Sequence, residues 1–442
     1  MGKDSIFLRA YIFLIGFGWQ LEVGIIGRFS LSEILMYFAL PILLSQNRTR
    51  IWNGTATKAF GLLALFVVAV VVSDIINQNY FQFFIRGLAR PIAIGLNSLF
   101  FALILVRSPR ALLLFFCGML PGACAGYFQE SAFMGEGEAE GYKFFNAKIE
   151  PIVKSGSIVL GLLLYRYSRL LAGVWFLFPV FLVAIYGSRS GTISYLLTAF
   201  TLGYLWFLKG GGREKLTLTL PFMLRTASIL LIGLTCVYGL YVYAAPRGIM
   251  GESQQKKFYE QSTTRFGASP LGLVAAGRSA VVAGLLAGLD NPVWGLGSWP
   301  NIGEYYVEAV DIAGEDLSDA QYQSAFAQRA AGHSIIIGTW FNNGIFALFY
   351  WLFFLVIMTR GMLFFLSRDN LLTPAIVFLF YDLMWALWFS PLNLNGRLWV
   401  ALFTGIAICF IDRRGPLVGE REFALLSPFS KAFQKQNVFR LR

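Results

Sequence analysis

Apolar residues gather along this chain in long blocks separated by short polar stretches. Spanning a bilayer as a helix takes ~20 mostly apolar residues. On that measure the stretches 6–20, 29–45, 59–76, 87–106, 111–127, 151–166, 170–187, 190–208, 222–243, 335–358, 371–388 and 397–412 predict about twelve helices. The connections at 46–58, 107–110, 166–169, 209–217 and 359–370 are basic, through residues such as Arg48, Arg107, Arg169, Lys215 and Arg368. Counting crossings puts all of them on one side together with both termini, and the excess of Lys and Arg in short loops marks that side as cytoplasmic. Met1 to Arg9 is short and basic, and no A-x-A-like site follows the first apolar stretch, so the first helix is expected to remain as a signal anchor.

Two longer polar segments fall on the other side. Residues 128–150 are acidic and Gly-rich, with Glu130, Glu136, Glu138, Glu140 and Glu150. Residues 244–334 form a loop of ~90 residues, far beyond ordinary connection lengths, which marks it as functional. Its apolar run from Pro270 to Leu289 imitates a span, but it is rich in Gly and Ala and carries Arg278 at its middle. Counting it as a crossing would also flip the basic tail, so an interfacial or re-entrant helix is expected. The expected fold is thus all-α: one integral membrane domain over 1–442, a bundle of about twelve transmembrane helices, with 244–334 as a long outer loop holding short interfacial helices.

Composition agrees with that picture and removes others. The chain is 57% hydrophobic and 14% charged, with a mean hydropathy of +0.63, against roughly 25% charged residues in soluble domains. The net charge of +12 would raise nucleic-acid binding in a soluble protein. Here it lies in short loops and in the tail carrying Arg413, Arg414, Arg421, Lys431, Lys435, Arg440 and Arg442, an arrangement suited to topology and anionic lipid. Cys117, Cys124, Cys236 and Cys409 all sit in apolar stretches and are expected to act as small hydrophobes, with no disulfide and no metal site.

Signatures of soluble enzymes are missing from the sequence: no Walker A loop, no G-x-S-x-G, no H-E-x-x-H, no Cys/His metal spacing. With one histidine, His333, a multi-histidine zinc site is impossible. No D-x-D lies on an outer loop either, so in an enzyme cationic side chains would have to take the role of a divalent metal.

Cations do collect on the outer side. Arg86, Arg90, Arg189, Arg278 and Arg397 break the positive-inside pattern, and His333 joins them. Cations there cost insertion energy, so their excess points to a polyanion to be held. Arg86 and Arg90, in FIRGLARPI, share a helix face by their four-residue spacing. They fit a bidentate diphosphate clamp or two snorkelling interfacial side chains. Arg189, in YGSRSGTIS, stands at a turn that Gly187 and Gly191 permit, where Ser188, Ser190 and Thr192 can cap the next helix. An arginine at a helix N-terminus makes an anion site. Arg278, in AAGRSAVVAG, is either a lone functional charge or a surface arginine on an amphipathic helix. His333 opens a helix in RAAGHSIIIGTWFNNG. Its neutral imidazole can accept a hydroxyl proton near pH 7, or it simply bonds backbone at a helix start.

Taken in order, YGSRSGTIS, GRSAVVAGLLAGLDNPVWGLGSWP and GHSIIIGTWFNNGIFALFYW resemble the successive signatures of the O-antigen ligase and O-antigen polymerase superfamily, over residues 180–360. The resemblance implies a bacterial inner-membrane glycosyltransferase with its site facing the periplasm, working without metal or other cofactor. Its donor would be a glycan on undecaprenyl diphosphate and its acceptor a second glycan or lipid A–core. By the same resemblance Arg189, Arg278 and His333 correspond to the functional arginines and histidine, with Arg86, Arg90 and Arg397 as weaker diphosphate contacts. Ligases usually read His-Asn at the helix start. This chain reads His333-Ser334, which leans toward a polymerase, and a chain-length regulator is then the protein partner expected. Trp294, Trp299, Tyr305 and Tyr306 are expected to anchor at the interface or to stack on sugar rings. A transporter of lipid-linked sugars would use the same arginines without bond-making.

The parity of the basic loops has a direct check. Reporter fusions at Lys215 and Glu252 are expected to report opposite compartments, and finding both on one side would overturn the topology.

Overall fold

The computed structural model of the protein describes residues 6–24, 28–47, 51–107, 110–129, 145–185, 189–210, 238–249, 251–262, 278–314, 333–368 and 370–411, with isolated positions at 228, 233, 235, 267 and 269. The basic tail and most of the stretch expected to span at 222–243 lie outside the described residues. The chain is mostly helical. Its helices are α1 (Ile6–Phe17), α2 (Leu31–Asn47), α3 (Gly54–Ile76), α4 (Phe81–Arg107), α5 (Ala111–Phe128), α6 (Glu150–Tyr165), α7 (Arg169–Ile185), α8 (Arg189–Gly210), α9 (Glu252–Ser262), α10 (Ser279–Asp290), α11 (Gly303–Ala313), α12 (Ile335–Arg368), α13 (Thr373–Phe389) and α14 (Leu394–Phe410). Among the described residues, α3, α4, α5, α12 and the Gly191–Leu208 part of α8 are long and apolar enough to cross a membrane, and six shorter apolar helices accompany them.

Local chemistry sets several helix starts. The side chain of Asn53 accepts from Ala56 N at 2.8 Å and opens α3, and Asn393 accepts from Gly396 N at 2.7 Å to open α14. Proline stands in the first turn of α6 and of α13, where its missing N–H has no partner to lose. Packing does the rest. Helix α12 lies against α3, α10, α13 and α14, and α14 lies along α4. Trp19, Trp351, Trp399, Tyr350 and Phe115 are fully buried in the resulting core. Helices α1 and α5 come backbone to backbone: a side chain at Gly16, Gly118 or Gly122 would strike a facing carbonyl, the small-residue contact that membrane helices favour.

Three features depart from the sequence expectations. Residues Glu22–Gly24 and Arg28–Ser30 form a short antiparallel hairpin, so Phe29 and Ser30 precede their helix in a strand. Helix α12 runs on to Arg368 where a basic loop from 359 was expected. Met358, Gly361 and Phe365 keep its buried face in register while Arg360 and Arg368 point outward, and spacings of three and four sustain a helix. Helix α4 begins at Phe81, which places Arg86 and Arg90 within it. As for the apolar run at 270–289, its described part is α10, of 12 residues, short of a span.

One carboxylate joins three of these helices. Glu33, in the first turn of α2, is fully buried. It accepts from Ser30 N at 3.1 Å, from Asn97 Nδ2 of α4 at 3.1 Å and from Arg397 Nη2 of α14 at 2.9 Å. Arg397 also donates to Arg28 O at 3.1 Å. A second pair, Lys154 with Asp382 at 2.9 Å, ties α6 to α13. Removing one partner of a buried pair strands the other charge, at a cost of about 3–5 kcal/mol, whereas replacing both with apolar side chains is far milder. Thermal unfolding of the detergent-solubilised protein is therefore expected to show Glu33→Met as strongly destabilised and Glu33→Met/Arg397→Met as largely recovered. A double variant no better than the single one would refute the pairing as the source of the loss.

Candidate functional site

The site forms where α12 is interrupted. Gly344 takes φ 75° and ψ −176° inside the helix, a left-handed region open to glycine, and a Cβ there would also strike Val293 O. The break diverts the helix hydrogen bonds onto the segment that follows α10. Leu296 N donates to Phe341 O at 2.7 Å and Gly297 N to Asn342 O at 2.8 Å, while Ile345 N donates to Pro292 O at 3.0 Å. From α3, Ser73 Oγ donates to Asn342 O at 2.8 Å, and Asn77 Nδ2 to Gly295 O at 3.1 Å. Just beyond, Asp74 accepts from the backbone N–H of Ser298 and, at 2.7 Å, from its hydroxyl.

This stitching sets the cations. It lays Ser298 directly over Gly87 of α4, where no side chain would fit, and brings Trp299 to Arg90. The Arg90 guanidinium lies 4.0 Å from the centroid of the Trp299 ring, within cation–π range. Trp299 itself holds φ 55°. Arg90, Ser298, Ser334, Thr339, Asn342 and Asn343 line a small, partly open cleft together with Phe66, Pro391 and Leu392.

His333 borders this cleft through its neighbour Ser334. The Ser334 hydroxyl donates to Leu387 O of α13 at 2.9 Å and accepts from Ile337 N at 3.2 Å, capping α12. His333 stays exposed, and its imidazole is less basic than an ordinary histidine because nearby protein displaces part of its hydration and because Arg278 is positive and close. Arg278 precedes α10, with its guanidinium 5.7 Å from the Trp385 ring centroid on α13.

Of the residues singled out in the sequence, Arg90 lines this cleft, His333 adjoins it through Ser334, and Arg278 lies near His333. Arg86 is exposed on α4. Arg397 is buried with its charge matched by Glu33. Arg189 is the first residue of α8, and its side chain lies outside the described residues. Trp294 packs on Phe346 at 5.4 Å between ring centroids, and Tyr305 and Tyr306 pack on a small core of α10, α11 and Phe341. Among the described residues no group of three or more His, Cys, Asp or Glu side chains gathers as a metal centre would. Sequence reasoning missed Glu33 and Asp74, although each is a carboxylate inside an apolar stretch, which is itself a functional signal. It also missed Asn342 and Asn343. No family model matches the chain, and no curated protein matches it significantly.

Arg278 and His333 are coupled electrostatically, so removing one charge must move the other's titration. The chain has one histidine, which gives a single imidazole resonance. In the parent its midpoint is expected below that of an ordinary histidine. Arg278→Gln is expected to raise it, since a cation no longer opposes protonation. An unchanged midpoint would place Arg278 away from the ring.

Proposed function

We propose that this protein is a metal-independent, inverting glycosyltransferase acting on undecaprenyl-diphosphate-linked oligosaccharide. Its setting is the bacterial inner membrane, with about twelve crossings, both termini cytoplasmic and the cleft facing the periplasm. The preferred reaction is polymerisation of surface-polysaccharide repeat units, with transfer to lipid A–core as the alternative. One observation carries the reading. An imidazole of lowered basicity and an arginine meet beside a cleft that holds a second arginine, and no carboxylate pairs with Arg90 among the described residues. The motif order in the sequence supports it independently.

In this reading Arg278 and Arg90, with Arg189, hold the donor diphosphate. The acceptor hydroxyl oxygen attacks the anomeric carbon from the face opposite the diphosphate. The bond from that carbon to the diphosphate oxygen breaks, its electron pair leaves with the diphosphate, and the hydroxyl proton passes to His333. A single displacement inverts the anomeric centre. Arg90 and Arg278 are each set against a tryptophan ring before reaction, so they stabilise the charge building on the leaving group with little reorganisation. Lowered basicity keeps His333 neutral, and hence able to accept a proton, at neutral pH.

The interruption of α12 at Gly344 favours a second reading, because broken helices also build transporter sites. The two readings part on product. Purified protein given a lipid-linked repeat unit is expected to yield longer glycans, whereas a transporter would only move that lipid between leaflets. His333→Ala is expected to slow elongation by ~10²–10⁴-fold, the usual worth of general base catalysis, while donor binding persists. Arg278→Ala and Arg189→Ala are expected to abolish it, with lysine a poor substitute for a bidentate fork. Full activity in all three alanine variants would refute the assignment.

A further inference from the structure

Two buried carboxamides stand beside the break in α12. Asn342 is 4% exposed and Asn343 7%, yet neither amide oxygen has a hydrogen-bond partner among the described residues. Leaving such an oxygen unmatched is destabilising, and here two such groups are adjacent in the lining of one cleft. Neither is needed to mend the helix. The Asn342 carbonyl that the break exposes is satisfied by Gly297 N and Ser73 Oγ, all through backbone or neighbouring side chains. The two amide oxygens thus have no part in holding the break together.

The rest of the wall narrows what fits them. The hydroxyl protons of Thr339, Ser298 and Ser334 are already given to Ile335 O, Asp74 Oδ2 and Leu387 O, so these oxygens offer the cleft only acceptor capacity. A phosphate, which only accepts at neutral pH, gains nothing from such groups. A cation would face Arg90. A neutral polyol both donates and accepts. It matches the spare acceptors and also a carboxamide in either orientation, since that group carries both functions on a soft terminal torsion. Phe66, Pro391 and Leu392, which also line the cleft, suit the apolar faces of a sugar ring.

We propose that Asn342 and Asn343 form a sugar-hydroxyl subsite that positions the donor's first sugar beside the arginines that hold its diphosphate. The subsite rests on the glycosyltransferase reading of the cleft. It divides the cleft into an anion-binding half at Arg90 and a neutral half at the break.

The test uses the full chain in lipid nanodiscs and direct binding of two kinds of probe: bare undecaprenyl diphosphate, and the same carrier bearing glucose, galactose or N-acetylglucosamine. The parent is expected to bind at least one sugar-bearing carrier more tightly than the bare one. Asn342→Leu and Asn343→Leu, close in shape, are expected each to weaken that complex by about tenfold, the worth of a lost buried hydrogen bond. Their affinity for the bare carrier is expected to stay unchanged. A parent preference that survives intact in both variants overturns the subsite alone, as does an equal loss for both kinds of probe, which would mark the amides as shaping the cleft. A parent that distinguishes no sugar-bearing carrier from the bare one overturns the glycosyltransferase reading itself. Should either leucine variant fail to fold, Asn342→Ser and Asn343→Ser, which keep a polar atom but shorten its reach, are read by the same comparison.

Discussion

A helix that breaks inside an apolar bundle must find new partners for its backbone, because an unmatched N–H or C=O away from water costs as much as the bond it lost. In this protein the break is at Gly344, and the segment from Pro292 to Gly297 supplies the partners. Phe341 O takes Leu296 N in place of Ile345 N, which turns instead to Pro292 O. That exchange joins the long loop to α12 as firmly as a strand joins its neighbour. Trp299 reaches Arg90, Ser298 rests on Gly87, and Asn342 and Asn343 come to the cleft wall as consequences of it.

Charge is then distributed unevenly around the same end of the bundle. Arg397 is held by a fully buried carboxylate and braces α2, α4 and α14. Arg90, one helix away, faces an aromatic ring instead, which attracts a cation without neutralising it. The two arginines were equals as candidate anion contacts in the sequence. Their partners separate them into a brace and a group with charge still to give. Arg278 acts on a third element: set against Trp385, it adds its charge to the partial burial that makes the His333 imidazole less basic.

Hydropathy alone determined the helical character of the chain, with several helices long and apolar enough to cross a membrane, because a ~20-residue apolar block has few ways to satisfy its backbone. The sequence also singled out Arg90 and Arg278 as charges, and His333 as a neutral imidazole, in or beside apolar stretches. Other features were illegible. A hairpin at 22–30 takes too few residues to leave a periodic signal. The continuation of α12 past 359 was masked by Arg360 and Arg368, which lie on its outward face. The break at Gly344 reads in the sequence as one glycine among many. Only the tertiary structure decided which arginine was paired, since that required Glu33 to meet a residue 364 positions away. It alone put two adjacent asparagines to work, because an amide is ordinary until the surrounding fold buries it and withholds its partner.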